Sequence, residues 1–183
     1  MAGLAVLAGL ALPTVSSSPA WAVPSPDAYV SNFNSNDVSV IDTATNAVVA
    51  TIPVGNGPEG IAITPDGKRV YVANRGANSV SVIGTATNTV VATVPVGTAP
   101  GGVAITPNGR RAYVTNFTSN SVSVIYTVTN AVVGNPIPVG SGPVNIDITP
   151  GKGKPHKPNK HHKPHKHHKT HKPEKLKKPG HHG

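Results

Sequence analysis

The chain repeats itself at a step of 42 residues, and this repetition limits the possible folds more than any other feature. The motif Tyr-Val-x-Asn begins at Tyr29, Tyr71 and Tyr113. Residues 28–69 align with residues 70–111 without a gap, and 27 of the 42 positions are identical. Such a chain is expected to consist of copies of one supersecondary unit that stack to bury their apolar faces.

Each copy contains four short segments typical of β-strands. In the first copy they are Tyr29–Asn32, Val38–Ile41, Val48–Ile52 and Ile61–Thr64. They are rich in β-branched residues and partly alternate between apolar and polar, as half-buried strands do. No segment beyond the first 22 residues has helical periodicity. The sequence therefore predicts an all-β fold.

Turn-forming residues separate the strand segments. Pro65-Asp66-Gly67-Lys68 and Pro107-Asn108-Gly109-Arg110 predict hairpins in which glycine takes the positive φ angle. The remaining predicted turns are rich in asparagine, which tolerates the left-handed region. They are Asn32–Asn36, Asn74–Asn78, Asn116–Asn120 and Thr43–Asn46.

Four-stranded units at this spacing are typical of β-propeller blades. Over residues 28–150 the chain resembles the YVTN β-propeller repeat family, in its Tyr-Val-x-Asn strands, Thr-Ala-Thr-Asn turns, Pro-Val-Gly segments and Ile-Thr-Pro-Asp/Asn-Gly hairpins. The resemblance implies a propeller-repeat domain over 23–150, with copies at approximately 28–69, 70–111 and 112–150. It also implies a secreted or cell-surface protein, and places strands like Ile61–Thr64 innermost in the propeller. Relatives include lactonase-like and electron-transfer propellers, so the fold alone does not assign an activity.

Three blades are fewer than the four to eight of ordinary propellers. The first blade begins with its second strand at Tyr29, and Asn145–Thr149 is predicted to be an innermost strand without a blade of its own. Three interpretations follow: two chains join head-to-tail as a six-bladed homodimer, the chain is a remnant of a longer propeller, or the blades form an open or distorted monomer.

The domain offers few groups for catalysis. The chain has no cysteine, and residues 23–150 hold no histidine, five basic residues and six acidic residues. Disulfides, thiolate sites and a Ser-His-Asp arrangement within the domain are thereby excluded. We predict a protein that is not an enzyme and has no cofactor, and we interpret the repeated tyrosines as packing residues. The candidate ligand-binding residues at the channel mouth are Asn56, Glu59, Asn145 and Asp147.

The last 33 residues differ sharply in composition from the domain. Residues 151–183 carry all nine histidines and eleven of the sixteen basic residues, and Leu176 is their one large apolar residue. Such a segment cannot form a core, so we predict a disordered tail. It is a candidate for electrostatic binding of polyanions such as cell-wall polymers, without a specific nucleic-acid site. The lysines concerned are Lys157, Lys160, Lys163, Lys166, Lys169, Lys172, Lys175, Lys177 and Lys178.

Two other interpretations of the tail stay open. It is a solubilising extension, or its histidines bind Zn²⁺, Ni²⁺ or Cu²⁺ weakly against the opposing lysine charge. The candidate metal ligands are His161, His162, His165, His167, His168 and His171.

The N-terminus predicts export. An apolar run over Leu4–Leu12 is too short to span a bilayer, and it is followed by small residues that end in Ala20-Trp21-Ala22. This pattern is typical of a signal peptide over residues 1–22, although no basic residue precedes the apolar run. We expect a secreted or surface-bound mature chain without a transmembrane segment.

These observations favour a non-enzymatic, exported β-propeller that presents a binding surface, with a cationic tail that adheres to the envelope or another polyanion. A fragment of a lactonase-like or redox enzyme is the first alternative. A histidine-rich metal-binding protein is the second.

Overall fold

The computed structural model describes residues 26–151, which form short antiparallel strands joined by tight turns. The signal peptide predicted over 1–22 and the tail beyond Gly151 lie outside the described residues. Within 26–151, no helix has the length and apolar character needed to cross a membrane. The strands are β1 (Asp27–Asn32), β2 (Asp37–Asp42), β3 (Ala47–Pro53), β4 (Pro58–Ile63), β5 (Arg69–Asn74), β6 (Ser79–Gly84), β7 (Thr89–Pro95), β8 (Pro100–Ile105), β9 (Arg111–Asn116), β10 (Ser121–Tyr126), β11 (Ala131–Val132) and β12 (Ile137–Pro138).

The strands make three sheets, and each sheet is a propeller blade. Blade 1 has the order β1-β2-β3, blade 2 the order β4-β5-β6-β7, and blade 3 the order β8-β9-β10, with β11 and β12 both paired to β10. One sequence repeat is therefore shared between two blades, because its fourth strand begins the next blade. The predicted all-β fold, the three blades and the offset between repeat and blade are confirmed.

Asparagine and glycine form the turns at the predicted positions. Gly67 and Gly109 both have φ of 69°, while Asn36, Asn78 and Asn120 have φ of 60°, 51° and 49°. The second asparagine loop also contains one turn of 3-10 helix, at Arg75–Ala77. Its equivalents in the other copies begin with phenylalanine instead of arginine, at Phe33 and Phe117.

The apolar core lies between consecutive blades. Val38, Val40 and Ile52 of blade 1 pack against Val70, Val72 and Ile83 of blade 2. The same positions one repeat later, including Val80, Val82 and Val94, pack against Ala112, Val114 and Ile125 of blade 3. Each blade thus buries one face against its neighbour in the same register, as expected for stacked repeats.

Glycine allows the innermost strands to touch through their backbones. A Cβ added to Gly60 in β4 would lie 2.1 Å from the carbonyl oxygen of Gly101 in β8. One repeat later, a Cβ on Gly102 would lie 2.8 Å from the carbonyl oxygen of Val144. Both distances are too short for a real side chain, so glycine is required at both positions for this close approach.

The prediction that Asn145–Thr149 forms an innermost strand is wrong. Residues 143–150 have no strand structure, although Gly102 N donates a 2.9 Å hydrogen bond to Val144 O. Val144 therefore packs against β8 as Gly101 packs against β4, but the described residues give it no second strand to pair with. A strand is defined by a ladder of backbone hydrogen bonds to a neighbouring strand. The segment therefore takes the predicted position beside β8 without the predicted strand structure.

The tyrosines of the first two Tyr-Val-x-Asn motifs link their blades to the next one. Tyr29 Oη donates to Asn88 Oδ1 at 2.8 Å, and Tyr71 Oη donates to Asn130 Oδ1, also at 2.8 Å. Tyr71 is fully buried, and this burial raises the pKa of its phenol above 10.0 despite the opposing effect of Arg69. The tyrosines are packing residues, as predicted, but they are also specific inter-blade hydrogen-bond donors.

We predict that Ala99→Gly stabilises the domain by about 1 kcal/mol. Ala99 has φ of 53°, where its copies at the same repeat position are Gly57 and Gly142. A left-handed alanine costs about 1–2 kcal/mol, and the extra chain entropy of glycine offsets part of the gain. Urea unfolding measures the change. The converse substitution Gly57→Ala should destabilise the domain, and a destabilised Ala99→Gly variant would contradict the argument.

We predict that Tyr71 and Asn130 are coupled by about 0.5–1.5 kcal/mol, the usual net contribution of one hydrogen bond. Tyr71→Phe removes the donor, and Asn130→Gly removes the acceptor while tolerating the φ of 52° at that turn. A double-mutant cycle in urea measures the coupling free energy. Additive effects of the two substitutions would contradict the link.

The same pair predicts a loss of stability at alkaline pH. Because the folded-state pKa of Tyr71 is raised, its contribution is fully present below about pH 10 and is lost as the pH rises through the folded pKa. Tyr71→Phe should therefore lose less stability above pH 10 than the parent chain. Tyr29, whose pKa is also raised by burial, should leave part of the dependence in place.

Candidate functional site

The predicted site residue Glu59 is linked to side chains from the loops that follow β5 and β9. Glu59 lies near the start of β4, and its carboxylate pairs with the Arg75 guanidinium at 2.9 Å. The same guanidinium lies 4.8 Å from the centre of the Phe117 ring, so it bridges blades 2 and 3. Glu59 and Arg75 are each about one-third exposed, which makes this ion pair a surface feature.

The other predicted residues lie on neighbouring segments. Asn56 is in the loop before β4, where its carbonyl oxygen accepts a hydrogen bond from Gly76 N. Asn145 packs on Gly102 of β8, and the Asp147 carboxylate accepts a hydrogen bond from Ile148 N. Strand β8 lies between β4 and the 144–146 segment, so Glu59 and Asn145 belong to inner segments that are not adjacent. In the described range 26–151, no three acidic or histidine side chains gather as a metal site would require.

The opposite ends of the blades form a groove that the sequence reasoning missed. The hairpins at Pro65–Lys68 and Pro107–Arg110 meet the turn after β10, where Thr127 lies. Thr127 Oγ1 donates to Gly109 O at 2.6 Å, and the Arg69 guanidinium donates to Thr127 O. The cleft so formed has a volume of about 610 Å³, and a second hollow of about 500 Å³ adjoins it through Asn108 and Arg110.

Basic side chains dominate this groove. Lys68, Arg69 and Arg110 line the larger cleft, and Arg111 lines the smaller hollow beside Tyr113. These are four of the five basic residues in 23–150, and the fifth, Arg75, lies at the other end of β5. Lys68, Arg110 and Arg111 are exposed, so their charges face solvent and are available to an anion.

A single carboxylate, Asp66, lines the larger cleft. Thr64 Oγ1 donates to it at 2.6 Å, and this hydrogen bond holds the pKa of Asp66 below 3.8. Asn108 occupies the same place in the second hairpin, where it accepts equivalent hydrogen bonds from Thr106 Oγ1 and Arg110 N. Asp66 therefore stabilises its own hairpin, and the groove keeps a positive balance.

The signal for the groove was present in the sequence. Each hairpin glycine is followed by two basic residues, Lys68-Arg69 in one copy and Arg110-Arg111 in the next. The near-neutral charge of the whole domain concealed this, because its acidic residues are spread over other positions. Strand pairing brings the two basic pairs to the same end of neighbouring blades.

Comparison with known proteins agrees with this architecture. Residues 25–109 match the YNCE-like β-propeller family. This match covers the first two repeats of the chain. The β-propeller assignment made from the YVTN-type motifs is therefore confirmed. A PE-PGRS family protein of Mycobacterium tuberculosis is 52% identical over 42 residues, which are 23% of this chain and 9% of that protein.

Solved structures show the same fold in larger proteins. Hydrazine synthase of Kuenenia stuttgartiensis superposes with a TM-score of 0.66 and 32% identity, over 68% of this chain and 36% of that chain. A putative 6-phosphogluconolactonase of Bacteroides fragilis superposes with a TM-score of 0.58 and 25% identity, over 66% of this chain and 38% of that chain. The chain thus spans little more than a third of either structure.

Proposed function

We propose that this chain is a non-enzymatic, exported β-propeller module that binds anionic polymers of the cell envelope through its basic groove and its cationic tail. The observation that carries the proposal is the placement of Lys68, Arg69 and Arg110 in one cleft between blades 2 and 3. An extended groove with several exposed cations suits a polymer of repeated negative charges better than a single small anion.

Hydrogen-bonding groups accompany the cations. The Asn108 side chain and the hairpin backbone line the cleft together with Lys68 and Arg110. Such groups fix the position of a phosphate or carboxylate, while the cations supply most of the affinity. The tail adds eleven lysines between residues 152 and 178. The groove and the tail therefore favour the same class of partner, an anionic polymer.

A binding role is favoured over catalysis because the acidic side chains near the two surfaces already have structural partners. Glu59 is paired with Arg75, and Asp66 is held by Thr64 within its hairpin. A general base must be free to accept a substrate proton, and both carboxylates already accept a hydrogen bond or ion pair from the protein. The activities named for the larger propellers belong to proteins of which this chain covers little more than a third.

We predict that Lys68→Gln with Arg110→Gln weakens binding to a generic phosphate polymer, for which random-sequence duplex DNA serves as the probe. The slope of log affinity against log salt concentration is negative, and each lost phosphate contact should bring it closer to zero by about 0.9. Asp66→Asn should strengthen binding, because Asn108 shows that the hairpin accepts asparagine. Fluorescence anisotropy over a salt series measures both effects.

The control for this experiment is Arg75→Gln, which removes one positive charge at the other end of β5 and is compared with Lys68→Gln and Arg110→Gln singly as well as with the double variant. Deletion of 152–183 separates the tail from the groove. The deletion should remove most of the polyanion binding that the full chain shows and leave the β-sheet circular dichroism unchanged. The groove proposal fails if the double variant and Arg75→Gln bind the probe equally in the tail-deleted chain.

We predict that export removes residues 1–22. The Ala20-Trp21-Ala22 pattern places the cleavage after Ala22, which leaves Val23 as the first residue of the mature chain. N-terminal sequencing of protein collected from the culture medium tests this. A chain that stays in the cytoplasm and begins at Met1 would contradict it.

A further inference from the structure

The contacts that join blade 1 to blade 2 recur between blades 2 and 3. The tyrosine bonds of Tyr29 and Tyr71 reach Asn88 and Asn130, each 59 residues further along the chain. The glycine before each innermost strand packs on an asparagine of the blade it enters: a Cβ on Gly55 would lie 2.6 Å from Asn74, and one on Gly97 would lie 2.5 Å from Asn116. One geometric step therefore relates each blade to the next.

Where the chain leaves blade 3, it makes the same contacts that it makes where it leaves blades 1 and 2. Asn120 Oδ1 accepts a hydrogen bond from Gly142 N at 2.8 Å, as Asn36 does from Gly57 and Asn78 from Ala99. Val139 N donates to Asn120 O as the corresponding valines do in the other copies. The chain leaves blade 3 along the path that it took out of blades 1 and 2, and Val144 already lies against β8.

Both outer faces carry apolar residues that the inner faces bury. Val30 of β1 is 42% exposed, whereas Val72 and Val114 at the same position are fully buried. Ile137 of β12 is 45% exposed, whereas Ile52 and Val94 at its position are 3% exposed. Val30 lies on the face of blade 1 that corresponds to the faces by which blades 2 and 3 contact the preceding blade, here called the incoming face. Ile137 lies on the face of blade 3 that corresponds to the faces by which blades 1 and 2 contact the following blade, here called the outgoing face. Each face therefore offers apolar side chains that could cover the other.

We propose that the outgoing face of blade 3 binds the incoming face of blade 1 in a second copy of this chain, and that two such contacts close a six-bladed head-to-tail dimer. Within residues 26–151, no strand of the same chain fills the innermost position of the incoming sheet, β1-β2-β3, which β4 and β8 fill in the other sheets. The segment 144–148 of the other copy fills it. Because Asn145 stands at the place of Gly60 and Gly102, this segment lies further from β4 of the copy that it enters than β8 lies from β4 within one chain. Six blades lie within the usual range for propellers, and a twofold axis then leaves no open face.

The repeat specifies the contacts of this interface. Tyr113 Oη donates to Asn46 Oδ1 of the second copy, because Asn46 is the equivalent of Asn88 and Asn130. Ile148 is opposite Ala28 of the second copy, as Ile63 is opposite Val70 and Ile105 opposite Ala112.

Charge favours the same pairing. Arg111 occupies the position from which Arg69 reaches the turn at Thr127, so it points to the turn at Thr43 of the second copy. That turn begins with Asp42, where the other copies have Gly84 and Tyr126. The dimer therefore sets a cation opposite an acidic turn that the inner interfaces lack.

The decisive variant is Gly140→Ala in the full chain. No described atom lies within 4 Å of a Cβ at Gly140, so the single chain tolerates it. In the dimer that Cβ would meet Asn32 of the second copy, as a Cβ on Gly97 would meet Asn116. Analytical ultracentrifugation of the parent should show twice the 18.6 kDa chain mass. For Gly140→Ala, the dissociation constant of the dimer should be larger by a factor of at least about ten.

Two controls separate this result from a folding defect. Gly151→Ala, also in open space, should leave the dimer intact, and circular dichroism should be the same for all three proteins. Tyr113→Phe and Asn46→Gly should each weaken the dimer and show non-additive effects in a double-mutant cycle. A parent chain that stays monomeric at tens of micromolar, or a dimer unaffected by Gly140→Ala, would overturn the proposal.

Cysteine crosslinking tests the direction of the contact, because the chain has no cysteine of its own. Opposed residues of antiparallel strands have Cα atoms about 4.5–5.5 Å apart, within reach of a disulfide. Ile148→Cys with Ala28→Cys should give a crosslinked dimer on oxidation, and each single variant should not. A disulfide within one chain would instead show closure of three blades on themselves and would overturn the proposal.

Polyanion binding by the groove and formation of the dimer fail independently. Lys68 and Arg110 lie between blades 2 and 3 of one chain, so their variants report on the groove whatever the oligomeric state. Gly140→Ala lies outside that groove and should change the mass without changing the affinity of the larger cleft.

Discussion

The structure depends on one close approach, the backbone contact between the innermost strands of consecutive blades. Gly60 and Gly102 lie against the carbonyl oxygens of Gly101 and Val144, where a β-carbon would collide. This contact fixes the distance and angle from one blade to the next. Packing of Val38 and Val40 on Val70 and Val72, and the tyrosine links across the same gap, then follow in one register.

Polar residues inside the blades support this arrangement. Asn74 and Asn116 are fully buried, and each donates to two serine hydroxyls of the adjacent strand, at 3.2 and 2.9 Å. These bonds join the second and third strands of a blade. They lie next to the glycine that precedes the innermost strand of that blade. Because Gly55 and Gly97 lie directly on the two asparagines, the hydrogen bonds within a blade and the path between blades are set by the same residues.

Most of the fold could be predicted from the sequence because it rests on local signals that occur three times. Alternating valines predicted strands, and the Asp66-Gly67 and Asn108-Gly109 pairs predicted hairpins, since only a few residues adopt the required φ angles. The strand predicted over Asn145–Thr149 was wrong for a non-local reason. Its residues have strand propensity, but a strand also needs a partner, and none of the described segments supplies one.

The groove was harder to predict because charge is not part of the repeat. Position 27 of the first copy is aspartate, while its equivalents at 69 and 111 are arginine; Pro26 likewise corresponds to Lys68 and Arg110. The scaffold tolerates these changes, since the contact that recurs between the copies there is made by the backbone. Thr43 N donates to Pro26 O, and Thr127 N donates in the same way to Arg110 O.

That tolerance explains how a symmetric scaffold acquires a site on one side only. Residues that make the inter-blade step, such as Gly60, Gly102, Tyr71 and Asn130, are held by contacts on both partners. Lys68, Arg110 and Arg111 at the hairpin ends are exposed, so substitutions there change the surface without changing the fold. Two basic pairs on neighbouring blades are sufficient to make a groove, because the fixed step between blades brings both pairs to the same cleft.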